Sequence, residues 1–157
     1  MTETQLMEQV RRLLADCCAH LDDGQLERWS DCFTEDAVYR IVARENHVRG
    51  LPLSLLTCDN KAMIRDRVAS LRQANIYNIH TDRHVISEPR VTAQAGDEWQ
   101  VETSYALFQT SQEGQSFVFS VGVYQDTVVF TGGAPKFKRR LVITDTAAIR
   151  TLLSTPI

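Results

Sequence analysis

The sequence predicts an α+β fold in which a curved antiparallel sheet wraps over N-terminal helices and leaves a cone-shaped cavity. Three observations predict it. Helical periodicity is confined to the first half of the chain, and long strand-like runs fill the second half. The run Phe117–Phe130 is apolar on both faces, as a central strand covered on each side would be.

From the N-terminus, Leu6, Met7, Val10, Leu13, Leu14, Cys17, Cys18 and Leu21 recur at three- and four-residue intervals. They make one apolar stripe on a helix over residues 3–22, which Asp22-Asp23-Gly24 stops. Leu26, Trp29 and Phe33 share a face of a shorter helix closed by Thr34-Glu35-Asp36. Ala37–Arg44 alternates like a strand, Glu45–Gly50 reads as a polar loop, and Pro52 keeps the next stretch extended or irregular. Asp59 or Asn60 can cap a helix from Lys61 to Arg72 that buries Ile64, Val68 and Leu71. Asn75–Asp82 reads as a loop and Arg83–Ala95 as one strand, with Pro89 placing part of it near a sheet edge. The three long strands are Trp99–Thr110, Phe117–Phe130 and Phe137–Asp145. In the first, Trp99, Val101, Tyr105 and Leu107 oppose Gln100, Glu102, Ser104 and Ala106, so one face is buried. Gly122 in the middle of the second predicts a bend or bulge.

A chain of 157 residues fits a single domain, residues 1–157, with no linker and no internal repeat. A net charge of -3 gives no nucleic-acid footprint, and no charge run points to a lipid surface. No stretch reaches the ~20 apolar residues of a membrane helix, and the N-terminus lacks a signal-peptide pattern, so the expected compartment is the cytoplasm. Cys17, Cys18, Cys32 and Cys58 have no metal-ribbon spacing and read as small buried thiols.

His80, His84 and Glu88 are the nearest thing to a metal triad. Four residues of strand span ~13 Å, which keeps such ligands from converging on one ion unless the segment bends back. Tyr39, His80, Asp82 and His84 could instead supply acid–base groups to a cavity. No nucleophile stands beside a base, and there is neither a P-loop nor a dinucleotide fingerprint. Trp29, Phe33, Tyr39, Tyr105 and Tyr124 are the expected lining of the cone. Arg65-Asp66-Arg67, with Lys61 and Arg72, and Lys136, Lys138, Arg139 and Arg140 form either solvated faces or docking strips.

The segment Arg44-Glu-Asn-His-Val-Arg-Gly-Leu-Pro-Leu-Ser-Leu-Leu, followed by Lys61-Ala-Met-Ile-Arg-Asp-Arg-Val, resembles the small (β) subunit of bacterial aromatic-ring-hydroxylating dioxygenases. The likeness is nearest to the small subunits of salicylate 5-hydroxylase and terephthalate dioxygenase. Trp29 with Phe33, Tyr39-Arg40, Arg83-His84, Gly122 with Tyr124 and Asp126, and Asp145 carry it along nearly the whole chain from Leu21.

The resemblance implies the SnoaL-like cone shared with scytalone dehydratase, ketosteroid isomerase and nuclear transport factor. It also implies a partner: a large (α) subunit, usually three copies of each in an α3β3 ring, which also brings copies of this chain together. That large subunit would carry a Rieske 2Fe–2S cluster and a mononuclear Fe(II), leaving this chain no cofactor and no catalytic residue. The substrate class so implied is a substituted benzoate such as salicylate, anthranilate or terephthalate. Arg65, Asp66, Arg67, Arg83, His84, Asp126, Arg140 and Asp145 are then the expected subunit contacts. A stand-alone dehydratase or isomerase using Tyr39 as acid and Asp82 or His84 as base is the alternative, and a ligand-binding cone is a third.

Overall fold

A computed structural model describes residues 2–157. The first helix, α1 (Glu3–Asp22), starts where Thr2 and Gln5 satisfy each other: Gln5 N donates to Thr2 Oγ1 at 3.2 Å, and Thr2 N donates to Gln5 Oε1 at 2.9 Å. Of its predicted stripe every residue is buried except Met7, which is half-buried. The short α2 (Leu26–Asp31) follows, then β1 (Phe33–Ala43), which begins four residues before the expected strand. Arg44, expected to end the strand, and the first residues of the expected polar loop Glu45–Gly50 form a short helix, α3 (Arg44–Val48), with no buried side chain. After β2 (Leu56–Cys58), Asn60 accepts from Met63 N at 2.9 Å and caps α4 (Lys61–Gln73).

The predicted strand Arg83–Ala95 is two strands. β3 (His80–Ile86) and β4 (Arg90–Ala95) both pair with the same edge of β5 (Glu98–Ser111), separated by a break at Pro89. Proline has no N–H for the ladder, so pairing stops there. Ser87 bridges the gap, donating its N–H to Ser104 O at 2.9 Å and accepting Ser104 N–H on Oγ at 3.0 Å. β6 (Ser116–Thr131) and β7 (Ala134–Thr144) meet at a Gly132-Gly133 turn whose two residues both have positive φ, a conformation glycine adopts without steric cost.

The sheet runs β2-β1-β7-β6-β5-β3, with β4 also on β5. It is the curved, antiparallel-rich sheet the sequence predicts, with one parallel seam where β1 lies beside β7. α1 packs on β3 and β7, and α4 packs on β1, on the concave side. Four register slips curl the sheet: three each leave one residue unmatched, Thr92 in β4, Phe119 in β6 and Lys138 in β7, and the fourth lies between Phe33 and Val38 where β1 meets β7. None falls at Gly122. That glycine instead allows a close approach, since a Cβ there would stand 1.9 Å from the Ile143 carbonyl oxygen.

Candidate functional site

The slip at Lys138 decides what the cone contains. Alternation along an unbroken β7 would put Phe137 and Arg139 on one face. With Lys138 bulged out, Phe137 pairs with Val128, and Arg140 pairs with Asp126 across the inner face. Arg140 is therefore wholly buried, and it donates from Nε and Nη2 to the two Asp126 oxygens at 2.9 and 2.8 Å. Its Nη1 donates to Cys17 Sγ at 3.3 Å. The guanidinium carbon sits 4.3 Å from the Tyr124 ring centre and 4.0 Å from that of Phe137. Burial alone would lower the Arg140 pKa, but the Asp126 charge, the Cys17 sulfur and the hydrogen bonds to Asp126 together more than offset it and hold the group protonated. Burial likewise raises the Cys17 thiol, yet its contact with Cys32 and the Arg140 charge leave it below the ordinary value. Cys18, which has burial and Cys17 against it, is pushed up to about 12.

Around this pair the aromatic side chains close on one another. Trp29, Phe33 and Tyr39 meet edge to face at 5.2–5.9 Å, and Tyr105 stacks on Tyr124 at 4.5 Å. All five are at most 4% exposed. They are thus a packed interior and not the open lining expected of them. Burial pushes the Tyr39 phenol well above its usual range, while its contact with the Ile157 backbone works the other way.

The segment after β7, residues 145–157, has neither helix nor strand, and its end folds into the cone. Ile157 is wholly buried; its N–H donates to the Tyr39 hydroxyl at 3.0 Å, and that hydroxyl donates to Ile157 O at 3.0 Å. Arg67 Nη2 donates to Leu153 O at 2.9 Å and Ser154 O at 2.7 Å. Thr155 Oγ1 donates to Asp82 Oδ2 at 3.0 Å, and Gln109 Nε2 donates to Asp82 Oδ1 at 3.3 Å. The sequence pattern predicts no element over residues 146–157. Ile149, Leu152, Leu153 and Ile157 gave an apolar signal, but one without helix or strand period to interpret it.

Of the candidate acid–base groups, His80 and Asp82 stand side by side, while Tyr39 and His84 are bonded to other partners. His84 Nδ1 lies 2.5 Å from Asp22 Oδ1, and His84 N donates to Asp22 Oδ2 at 2.9 Å, pinning β3 to the end of α1. His80 contacts Asn78 O at 2.7 Å and Asp82 at 3.4 Å. Glu88 pairs with Arg11 on the surface. Among the described residues no three His, Cys, Asp or Glu side chains come together as a metal would need.

The expected subunit contacts divide. Asp126, Arg140 and the His84 side chain face inward, so for them a docking role is corrected. The bulge at Lys138 explains Arg140, and the Asp22 partner explains His84. Arg67 is half-buried and spends one guanidinium nitrogen on the tail. Arg65, Asp66, Arg83 and Asp145 are exposed; Arg65 reaches Glu35 and Asp145 reaches Arg44 only at 3.5 and 3.4 Å. Beside Arg83, on the convex face of the sheet, lie Val85, Phe108 and Val118, which are 55%, 37% and 52% exposed. Phe108 is register partner to both Arg83 and Val118. Further exposed apolar side chains, Val48, Leu51, Leu53 and Leu55, run from the end of α3 into the segment after it.

Comparison with known proteins places these features. The SnoaL-like domain family matches residues 2–141. The chain is 48% identical over 138 residues to the anthranilate 1,2-dioxygenase small subunit of Burkholderia cepacia, covering 88% of this chain and 86% of that one. It is 31% identical over 139 residues to the terephthalate 1,2-dioxygenase terminal oxygenase component subunit beta 1 of Comamonas sp, covering 87% and 89%. A crystal structure described as the beta subunit of an aromatic-ring-hydroxylating dioxygenase from Novosphingobium aromaticivorans superposes with a TM-score of 0.90. It shares 38% identity, and the match covers 98% of each chain.

Proposed function

This chain belongs to the SnoaL-like family and, within it, to the small subunits of the aromatic-ring-hydroxylating dioxygenases, and on that premise we propose that it works by docking. It is the non-catalytic subunit of such an oxygenase, and its relatives' standing as small subunits implies a large-subunit partner. The observation that carries the docking reading is a division of labour. Side chains with chemical potential are spent inside, in Arg140–Asp126, Asp22–His84 and Tyr39–Ile157, while arginines and large apolar groups are left outside.

Exposed apolar side chains beside arginine are the composition of interface cores. In this reading the face with Arg83, Val85, Phe108 and Val118 meets another subunit. Arg65, Asp66 and Asp145 add charged contacts, which set register and partner choice more than affinity. The assembly is an α3β3 ring in which the large subunit carries the Rieske 2Fe–2S cluster and mononuclear Fe(II). The small subunit's contribution is to hold those centres in fixed relation. The 48% identity to the anthranilate 1,2-dioxygenase small subunit supports a substituted benzoate, anthranilate before terephthalate, as substrate of the whole system. All four cysteines are free thiols, which suits a reducing compartment such as the cytoplasm.

Co-expression with the large subunit tests the reading. A tagged copy of this chain should retain the large subunit, and the Val118→Lys variant should lose it while keeping its own fold. A large subunit that never co-purifies overturns the proposal.

A further inference from the structure

We propose that Cys17 and Cys32 are a peroxide-responsive thiol pair: hydrogen peroxide oxidises Cys17, and Cys32 closes a disulfide onto it that ties α1 to the end of α2. The proposal does not rest on the assembly role and concerns the isolated chain.

Cys17 lies on the buried stripe of α1, where an apolar side chain of its size would fill the same space. Its sulfur is instead a hydrogen-bond acceptor. Arg140 spends Nε and Nη2 on Asp126, and its remaining nitrogen, Nη1, donates to Cys17 Sγ at 3.3 Å. The Cys32 thiol is hydrogen-bonded to the same sulfur, and it also lies 3.6 Å from Arg28 O. Trp29 Nε1 is turned towards that sulfur as well, though among the described residues it makes no hydrogen bond of ordinary geometry. A buried guanidinium and a thiol donor on one sulfur are surroundings that favour thiolate over thiol.

The other cysteines do not share these surroundings. Burial pushes the Cys58 thiol up, as it does that of Cys18. Cys32 is raised too, first by its bond to Cys17 and then by burial, so it keeps its proton. The pair is therefore unequal, with Cys17 the nucleophile and Cys32 the resolving thiol. Cys32 is 9% exposed and caps the six-residue α2, so a brief opening of that turn admits a molecule as small as peroxide.

The chemistry runs in two steps. The Cys17 thiolate attacks one peroxide oxygen and the O–O bond breaks, so the sulfur is oxidised to a sulfenic acid and the peroxide is reduced. The other oxygen leaves as hydroxide and takes up the proton that Cys17 gave away, becoming water. Cys32 sulfur then attacks Cys17 sulfur, the S–O bond breaks, and the departing oxygen leaves as water with the Cys32 proton. One peroxide is consumed per chain, and the reaction stops there until a dithiol reduces the bridge. With Cys17 drawn into the bridge, Arg140 Nη1 loses its thiolate acceptor.

The test exposes the reduced full-length chain to hydrogen peroxide, blocks the remaining thiols with an alkylating agent in denaturant, and maps the tryptic peptides by mass. Residues 13–28, with Cys17 and Cys18, should be joined to residues 29–40, with Cys32. Cys17 should be lost at least about tenfold faster than Cys58, and dithiothreitol should restore both thiols of the bridge. Cys18→Ser should still form the bridge, which assigns it to Cys17. Cys32→Ser should instead leave a sulfenic acid on Cys17 that dimedone traps. No bridge under excess peroxide, a bridge lost in folded Cys18→Ser, or loss of Cys17 and Cys58 at equal rates overturns the proposal. Should a variant misfold, the relative rates in the unmodified chain decide the matter.

Discussion

Arg140 and Asp126 form a two-bond ion pair, 2.8 and 2.9 Å long, in which neither side chain has any exposed surface. They are register partners on β7 and β6, and the pair stands at the centre of the sheet's inner face. Removing one partner leaves the other charged and buried. Arg140→Met or Asp126→Asn should therefore cost ~3–5 kcal/mol of folding stability. The double variant Arg140→Met with Asp126→Leu should recover most of that loss in urea titrations.

Gly122 lies against the Ile143 carbonyl, with 1.9 Å between that oxygen and any Cβ placed at the glycine. The obstacle is backbone, which cannot rotate away. Gly122→Ala should cost about 3 kcal/mol, the upper part of the range for overpacking, and should loosen amide protection between β6 and β7. Substitution to Ala at Gly96, whose Cβ position is open, should instead show only the smaller penalty of its positive φ.

Glu27 accepts from Arg72 Nε and Nη2 across the gap between α2 and α4, and this bond holds its carboxyl at about 2, below the ordinary 4.5. A folded-state value below the unfolded one gives a contribution present above about pH 4.5 and lost as pH falls towards 2. Glu27→Gln should therefore melt earlier than the unmodified chain at pH 7, and the difference should vanish near pH 2. Because the pair is exposed, the difference should also shrink in high salt.

On the convex face, Phe108→Glu and Val118→Lys place charge in the exposed apolar patch beside Arg83. Exposed sites of this kind change folding stability by no more than ~0.5 kcal/mol. Sedimentation velocity of the co-expressed subunits should show a shift from the large assembly to free chains, with the melting temperature of the isolated chain unmoved.

The sequence carried the helices and long strands well, because α1 and α4 keep a clean stripe and β5 alternates without interruption up to Leu107. It failed where period breaks. One bulged residue, Lys138, turned Arg140 from an outward into an inward side chain, and no local preference marks a bulge at that position. His84 was legible as a polar strand residue, but its partner Asp22 lies 62 positions away in sequence. The tail was illegible for a related reason: its hold on the cone consists of long-range side-chain contacts to Tyr39, Arg67 and Asp82. The family resemblance supplied the role, which the pattern of residues by itself did not.

The most direct test of the docking account is reconstitution of turnover. Purified large subunit and reductase should hydroxylate an aromatic acid weakly or not at all until this chain is added. The chain by itself, free of metal, should convert nothing. Full hydroxylation by the large subunit without this chain, or turnover of a small molecule by this chain alone, would contradict the account.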